Sequence, residues 1–157
     1  MKNGQNNLLK KIDKKLKKIK AADIMTRKVV TIKRKETIHA AAELMLKNRI
    51  SGLPVVSSSG KILGIITETD LFMVMDMVKS GDILLDKKAK TAVPNVSFAM
   101  SCEFRTVSKK ASLEEIIVLM KYKNQQTVPV VEKGRMVGII GKHDVFKNFY
   151  STVSSCR

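Results

Sequence analysis

The sequence predicts an α+β fold in which two βαββα repeats pack face to face with pseudo-two-fold symmetry, behind a basic N-terminal helix. Three observations support this prediction. The chain carries an internal duplication, each copy alternates short apolar runs with an amphipathic helical pattern, and lysine dominates the first 20 residues. A repeat of roughly 50 residues with three short strands buries too little apolar surface alone, so we expect the two copies to stabilise each other.

The duplication covers nearly the whole chain. Shifting residues 22–56 by 75 positions, and residues 60–72 by 74, gives 14 identities in 48 aligned positions. Unrelated segments of this composition would give roughly three or four. We therefore predict five segments: a basic N-terminal helix at 1–20, a first repeat at 21–78, a linker at 79–96, a second repeat at 97–150 and a C-terminal tail at 151–157.

Each copy predicts the same order of elements. A short strand comes first, and a helix with apolar residues at i, i+3, i+4 and i+7 follows it. Two apolar runs joined by a glycine-containing connector then predict an antiparallel hairpin, and a final helix begins at Thr67 or Gly141. The first strand should lie parallel to the next one because the crossover is right-handed. The predicted strands are Val29–Ile32, Leu53–Val56 and Ile62–Ile66, with Phe104–Val107, Val128–Val131 and Met136–Ile140 in the second copy.

Charge and composition limit the class of protein. The 157 residues carry 30 Lys and Arg against 14 Asp and Glu, which favours anionic partners. Eight lysines and one aspartate fall within residues 1–20, where residues 7–20 predict an amphipathic helix. No apolar run reaches 18 residues, and no secretory pattern opens the chain. The two cysteines suit a reducing compartment, so we expect a cytoplasmic protein.

The ordered motifs resemble a tandem pair of cystathionine-β-synthase (CBS) domains, the Bateman module. The first copy matches through 22–26, 30–32, 51–56 and 64–71, and the second through Met100, 105–107, 127–131 and 138–145. No catalytic domain accompanies these motifs, so the chain is similar to the stand-alone prokaryotic members. The resemblance implies a non-enzymatic sensor that binds an adenosine-containing nucleotide and regulates an unidentified protein, and that assembles as a homodimer burying the helices of Phe72 and Phe146.

The recurrent signature of the family falls on Gly64, Thr67 and Asp70, and each of these residues can be given a physical role. Gly64 lets a neighbouring backbone approach, and Thr67 opens a helix whose free N–H groups can receive a phosphate. Asp70 offers oxygens to the hydroxyls of a ribose. The same Thr67–Asp70 spacing is also a capping box, which leaves ligand and cap as alternatives. In the second copy Asp144 persists although Gly141 lacks the capping hydroxyl, which favours ribose binding.

Family precedent implies two clefts that each take residues from both copies. The first would contain Ser51, Thr67, Thr69, Asp70, Thr106, Gln125, Gln126 and Thr127. The second would contain Gln126, Gly141, His143, Asp144, Thr31, Ile50, Ser51 and Gly52. The segments before Pro54 and Pro129 are uncharged, which favours AMP or ADP over ATP, with S-adenosylmethionine also possible. Thr31 and Thr106 could equally be ordinary strand residues.

Other functions receive less support from the sequence. The histidines and cysteines lack metal-ligand spacing, and no catalytic constellation can be assembled, so we expect neither a metal nor an enzyme. The alternative is a basic interaction protein with vestigial clefts, which docks on nucleic acid or anionic lipid through its lysine-rich N-terminus. Aromatic residues amount to 4%, which gives base stacking little support.

Overall fold

The computed structural model describes residues 2–80 and 94–156, with side chains from residue 6 onward. Most of the predicted linker, residues 81–93, lies outside the described residues. The mixture of helices and strands confirms the α+β class. In chain order the elements are α1 (Lys2–Leu16), α2 (Ala21–Ile24), β1 (Ile32–Lys33), α3 (Ile38–Asn48), β2 (Gly52–Val56), β3 (Ile62–Thr67), α4 (Glu68–Ser80), α5 (Val96–Ala99), α6 (Leu113–Tyr122), β4 (Thr127–Glu132), β5 (Arg135–Gly141) and α7 (Lys142–Ser154).

The chain forms two compact units that do not follow the order of the repeats. The central unit is Val30–Phe104, and the terminal unit joins Met1–Val29 to Arg105–Arg157. The opening segment of each repeat therefore belongs to the unit built around the other repeat. The consecutive repeats predicted from the sequence do not include this exchange of opening segments.

The central unit holds a three-stranded sheet in the order β1-β2-β3. Strand β1 pairs parallel with β2, with Ile32 opposite Val55, and β2 pairs antiparallel with β3. This confirms the predicted crossover and hairpin, although β1 is shorter and later than predicted. Helix α3 begins at its cap Thr37, whose side chain accepts the Ala40 N–H, and the core gathers apolar residues from strands and helices. These include Ile32, Ala41, Met45, Leu53, Val55, Ile66 and Leu71.

The terminal unit contains the second hairpin, formed by β4 and β5. The prediction of a strand over Phe104–Val107 is wrong. A single parallel bridge joins Val107 to Val130 there. The side chain of Gln125 provides the reason, because it occupies the backbone N–H and C=O of Arg105 that a strand partner would otherwise take. Around the hairpin, a separate core includes Ile24, Met25, Leu113, Ile116, Val128, Val130 and Ile140.

Two glycines allow the exchanged segments to lie against the hairpins. In the central unit Ser101 pairs with Ile65, and a Cβ placed on Gly64 would lie 2.6 Å from the carbonyl oxygen of Ser101. In the terminal unit Thr26 pairs with Ile139, and a Cβ on Gly138 would lie 2.5 Å from the sulfur of Met25. The close approach predicted for Gly64 is confirmed, and its neighbour is the exchanged segment.

The first helix packs on the terminal unit. Leu16, and Ile19 just beyond the end of α1, contact the core of that unit, while Lys15 Nζ donates to the carbonyl and hydroxyl oxygens of Ser155. The predicted basic helix is confirmed, with an earlier start and end than 7–20. Helix α7 continues to Ser154, so the first four residues of the predicted tail are helical.

Candidate functional site

The end of the first hairpin brings three of the predicted site residues together. Gly52 pairs with Thr67 across β2 and β3, and the Glu68 N–H donates to the carbonyl oxygen of Ser51 at 3.0 Å. Helix α4 begins at Glu68, directly after Thr67. Ser51, Thr67 and Asp70 therefore lie together at the N-terminus of this helix. This is the half of the predicted first cleft that the central unit contributes.

Asp70 caps this helix. Its Oδ2 accepts the backbone N–H and the hydroxyl of Thr67, both at 2.7 Å. The single hydroxyl proton of Thr67 is therefore directed to the carboxylate, and the geometry does not offer it to a phosphate. Among the described residues, no hydrogen bond reaches Oδ1 of Asp70.

Asp144 makes the equivalent bond in the terminal unit. Its Oδ2 accepts the Gly141 N–H at 2.8 Å, although Gly141 carries no hydroxyl. Asp144 therefore caps its helix through the backbone N–H alone, so its presence opposite a residue without a hydroxyl does not by itself distinguish a ligand role from a cap. Both carboxylates follow one pattern: Oδ2 bonds to its own helix start, and no bond to Oδ1 is found among the described residues.

Gln125 has a positioning role that the sequence did not suggest. Its Oε1 accepts the Arg105 N–H at 2.7 Å, and its Nε2 donates to the carbonyl oxygens of Arg105 and Thr127 at 2.7 and 3.0 Å. Both amide hydrogens are used, so this side chain has no donor left for an adenine edge. A glutamine just before the second hairpin was a visible signal, but its partner segment lies 20 residues away in the chain.

The remaining predicted residues are distributed between the two units. Thr31 is half-buried just before β1, and it lines a groove of about 750 Å³ along α3. Thr127 is buried and pairs with Gly141, so the terminal unit brings the second hairpin and α7 together as the central unit does. The sharing of each cleft between the repeats stays a prediction. Ile50 and Gln126 are half-buried, Gly52 is buried, and Thr69, Thr106 and His143 are exposed.

The described residues contain neither a metal cluster nor a membrane-spanning helix. No group of three or more His, Cys, Asp or Glu side chains in ranges 2–80 and 94–156 could hold a metal ion. Within the same ranges, no helix combines the length and apolar character needed to cross a bilayer.

The paired hairpins, each followed by a capped helix, define a class of protein. The family model of the CBS domain matches residues 21–76 and 95–151. The chain belongs to the CBS domain family, and it carries the domain twice. The resemblance inferred from the motifs is confirmed.

Particular relatives are similar in sequence to most of this chain. Protein MJ1404 of Methanocaldococcus jannaschii is 31% identical over 136 residues, which cover 84% of this chain and 32% of the relative. A CBS domain-containing protein of Dictyostelium discoideum is 29% identical, over 82% of this chain and 89% of its own length. The chain spans about a third of the length of the first curated relatives that it matches.

A solved structure gives a further likeness. The CBS domain pair of protein MJ0100, in complex with 5′-methylthioadenosine and S-adenosyl-L-methionine, aligns with a TM-score of 0.72 and 25% identity. The alignment covers 85% of this chain and 97% of that one.

Proposed function

We propose that this chain is a non-catalytic regulatory module that binds an adenosine-containing ligand, with AMP or ADP preferred. The observation that carries the proposal is the repeated arrangement at the two hairpin ends, where an aspartate at a helix start has one carboxylate oxygen that no hydrogen bond within ranges 2–80 and 94–156 reaches. The adenosine-containing ligands in the structure of the MJ0100 CBS pair support the class of ligand.

Capping and ligand binding are compatible on one carboxylate. Oδ2 of Asp70 serves the helix start, while Oδ1 remains as an acceptor for a ribose hydroxyl. The cap fixes the carboxylate in one rotamer, so less side-chain entropy is lost when a ligand binds. We therefore assign Asp70 and Asp144 both roles: each stabilises its helix and presents a pre-oriented acceptor.

The phosphate end would meet the N-terminus of a 13-residue helix in each unit. N–H groups in the first turn have no partner within the helix, and the helix dipole favours an anion there. In α4 the N–H of Glu68 already donates to Ser51 and that of Asp70 to the Thr67 hydroxyl, so the dipole is the main attraction at the first hairpin. In α7, the exposed Lys142 and His143 lie in the same turn as Asp144; Lys142 adds a cationic donor and His143 adds an imidazole. Ser51 and Gly52 add none, which supports a ligand of low phosphate charge at the first hairpin.

Regulation requires that the ligand bind two states of the protein with different affinity. We propose that occupancy shifts the arrangement of domains or subunits and that a partner protein responds to this shift. The coupling typical of such modules is about 1 to 3 kcal/mol, and a ligand that binds both states equally would transmit nothing.

Isothermal titration calorimetry with AMP, ADP, ATP and S-adenosylmethionine tests the proposal. We expect saturation at no more than two sites per chain and weaker binding in Asp70→Ala. Because Asp70 also caps α4, a control must lose a cap of the same kind elsewhere. Glu115→Ala provides it, since Glu115 caps α6 through Ser112.

Two outcomes would contradict the proposal. One is the absence of any binding heat or melting shift with all four ligands. The other is equal weakening in Asp70→Ala and Glu115→Ala, because the effect of Asp70 would then reflect lost helix stability instead of a lost ligand contact.

A further inference from the structure

The positive charge of the protein is concentrated on one of its two units. The terminal unit carries twenty Lys and Arg side chains against six carboxylates, a formal excess of fourteen. The central unit carries ten against eight, an excess of two. The exchange of opening segments produces this asymmetry, because it places the lysine-rich N-terminus in the same unit as the basic second repeat.

The carboxylates of the terminal unit mainly satisfy backbone N–H groups. Four of them accept from N–H groups that begin helices or hold a loop; these are Asp23, Glu115, Glu132 and Asp144. Asp13 forms an ion pair with Lys17 at 2.7 Å, the one ion pair found among the described residues of this unit. The other Lys and Arg side chains of the terminal unit, from residue 6 to residue 156, therefore lack a carboxylate within ion-pair distance.

Four of these lysines form a stripe: three lie on the outer face of α1, and the fourth, Lys18, lies two residues beyond its end. Lys10, Lys14 and Lys18 follow each other at intervals of four residues, and Lys11 lies beside them. All four are exposed. The opposite face of the helix, around Leu16, packs on the terminal unit, which holds the stripe toward solvent.

Lys110 lies close to the continuation of this stripe. The backbone of residues 109–111 bonds to the segment that follows α1, since the N–H groups of Ala21 and Ala22 donate to the carbonyl oxygens of Ala111 and Lys109. The exposed Lys20 and Lys110 therefore belong to neighbouring segments of one unit. We name Lys10, Lys11, Lys14, Lys18, Lys20 and Lys110 the basic stripe.

We propose that the basic stripe binds the phosphodiester backbone of a nucleic acid without reading its sequence. Lysine is a flexible point charge that suits phosphate oxygens, and the stripe contains no arginine for bidentate contacts with base edges. Binding would be driven by counterion release. This role goes beyond the nucleotide site and does not depend on it.

The packing of α1 favours a nucleic acid over a lipid bilayer. A helix that lies in a membrane interface inserts its apolar face among the acyl chains. Here Leu8, Ile12 and Leu16 are half-buried in the protein, and Leu9, at 65% exposed, is the one apolar side chain of α1 that the described residues leave largely free. The exposed positive charge of the stripe is therefore the feature available for binding. It is complementary to a polyanion, which requires no apolar insertion.

Fluorescence anisotropy tests the proposal, with labelled duplex DNA and duplex RNA of the same sequence, each of about 30 base pairs, between about 50 and 200 mM salt. The full chain should bind at least one of the two, with log K falling linearly against log salt. Replacing Lys10, Lys11, Lys14 and Lys18 by Gln should weaken binding about tenfold or more at the lowest salt and make the slope less steep by about 3 to 4.

The matched control removes four charges from the other unit. Lys35, Lys47, Lys61 and Lys79 of the central unit are exposed, and their replacement by Gln gives the same net charge. This variant should keep most of the affinity and the salt slope. Equal losses in the two variants would overturn the proposal, because net charge alone would then explain binding, and so would the absence of binding to both duplexes.

Vesicles with about 30% phosphatidylserine, at matched salt, form the remaining arm of the test. We expect weaker binding to them than to nucleic acid. Tighter, stripe-dependent binding to vesicles would replace the nucleic acid by an anionic membrane and overturn the proposal. Circular dichroism of each variant checks that α1 stays folded.

Discussion

Single side chains in this protein stabilise the fold through hydrogen bonds that their sequence context does not reveal. Asp70 and Asp144 use one oxygen for a helix start, and Gln125 uses its whole amide to hold the segment of Arg105 against the second hairpin. In each case the partners include a backbone group, and Asp70 also accepts the hydroxyl of Thr67. The residue type alone leaves open whether a polar side chain serves the fold or a ligand, and the geometry shows which of its atoms remain available.

Gln125→Ala should destabilise the protein, while Gln126→Ala should not. The first substitution leaves the N–H and C=O of Arg105 and the C=O of Thr127 without their partner, and this should lower the free energy of unfolding by about 1 to 3 kcal/mol. Gln126 is equally half-buried but makes none of these bonds. Urea denaturation of both variants measures the difference, and equal midpoints would contradict the positioning role.

At the scale of elements, helix starts and strand contacts are repeated in kind across the two units. Helices α4, α6 and α7 each begin with an acid that accepts the N–H of the cap residue. The second strand of each hairpin, β3 or β5, forms a bridge with the exchanged segment, beside a glycine that leaves room for it. The motifs that occur twice in the sequence therefore correspond to local contacts that occur in both units.

Gly64→Ala should disturb the contact between β3 and the exchanged segment. The added Cβ would collide with the backbone oxygen of Ser101, so we expect a loss of about 1 to 3 kcal/mol in unfolding free energy. Gly141→Ala is the control, because its Cβ would meet Asp144 Oδ2 at an ordinary 3.6 Å. Thermal unfolding compares the two variants, and a Gly64→Ala protein as stable as the control would disprove the close approach.

The cap of α6 should titrate below the usual range of a glutamate. The backbone N–H and the hydroxyl of Ser112 donate to Glu115 and lower its pKa from the ordinary 4.5. Its stabilising contribution is therefore present above pH 4.5 and is lost as the pH falls through the lowered pKa. Carbon-detected NMR titration should show a midpoint for Glu115 below 4.5, which rises in Ser112→Ala. An unchanged midpoint in that variant would contradict the assigned cause.

At the scale of the whole molecule, each unit carries large apolar side chains that are exposed among the described residues. Phe72 on α4 is 68% exposed and Phe146 on α7 is 61% exposed. The two residues occupy corresponding positions in the two repeats. Met73 and Met75 on α4, and Tyr150 on α7, are also exposed. Phe146 and Tyr150 contact each other, with ring centroids 4.6 Å apart, and both still remain more than half exposed.

Family precedent predicts that these helices bury one another in a homodimer. Light scattering should return twice the 17.5 kDa of one chain. Replacing Phe72 and Phe146 by Glu should shift the protein toward the monomer, because a charge in an apolar interface carries a large desolvation cost. Leu46→Glu, on the exposed surface of α3, tests whether any exposed apolar position has the same effect. A wild-type monomer would contradict the prediction.

The repeat, the hairpins and the long helices could be predicted because they depend on local patterns. Apolar periodicity and turn glycines located β2 to β5 within about two residues, and the duplication identified the family. The capping alternative for Asp70 was also visible in the sequence. The loss of the strand at Phe104–Val107 was not, because Gln125 acts on it from a distant part of the chain.

The amino-acid order alone determined that this protein carries two CBS repeats with an acid at each second helix start. Only the tertiary structure decided that both acids cap their helices, and that nearly all the excess positive charge belongs to one unit. The physical reason is range. Periodicity and turn propensity act over a few neighbouring residues, whereas the hydrogen-bond partners of a carboxylate and the grouping of distant lysines depend on which segments pack together.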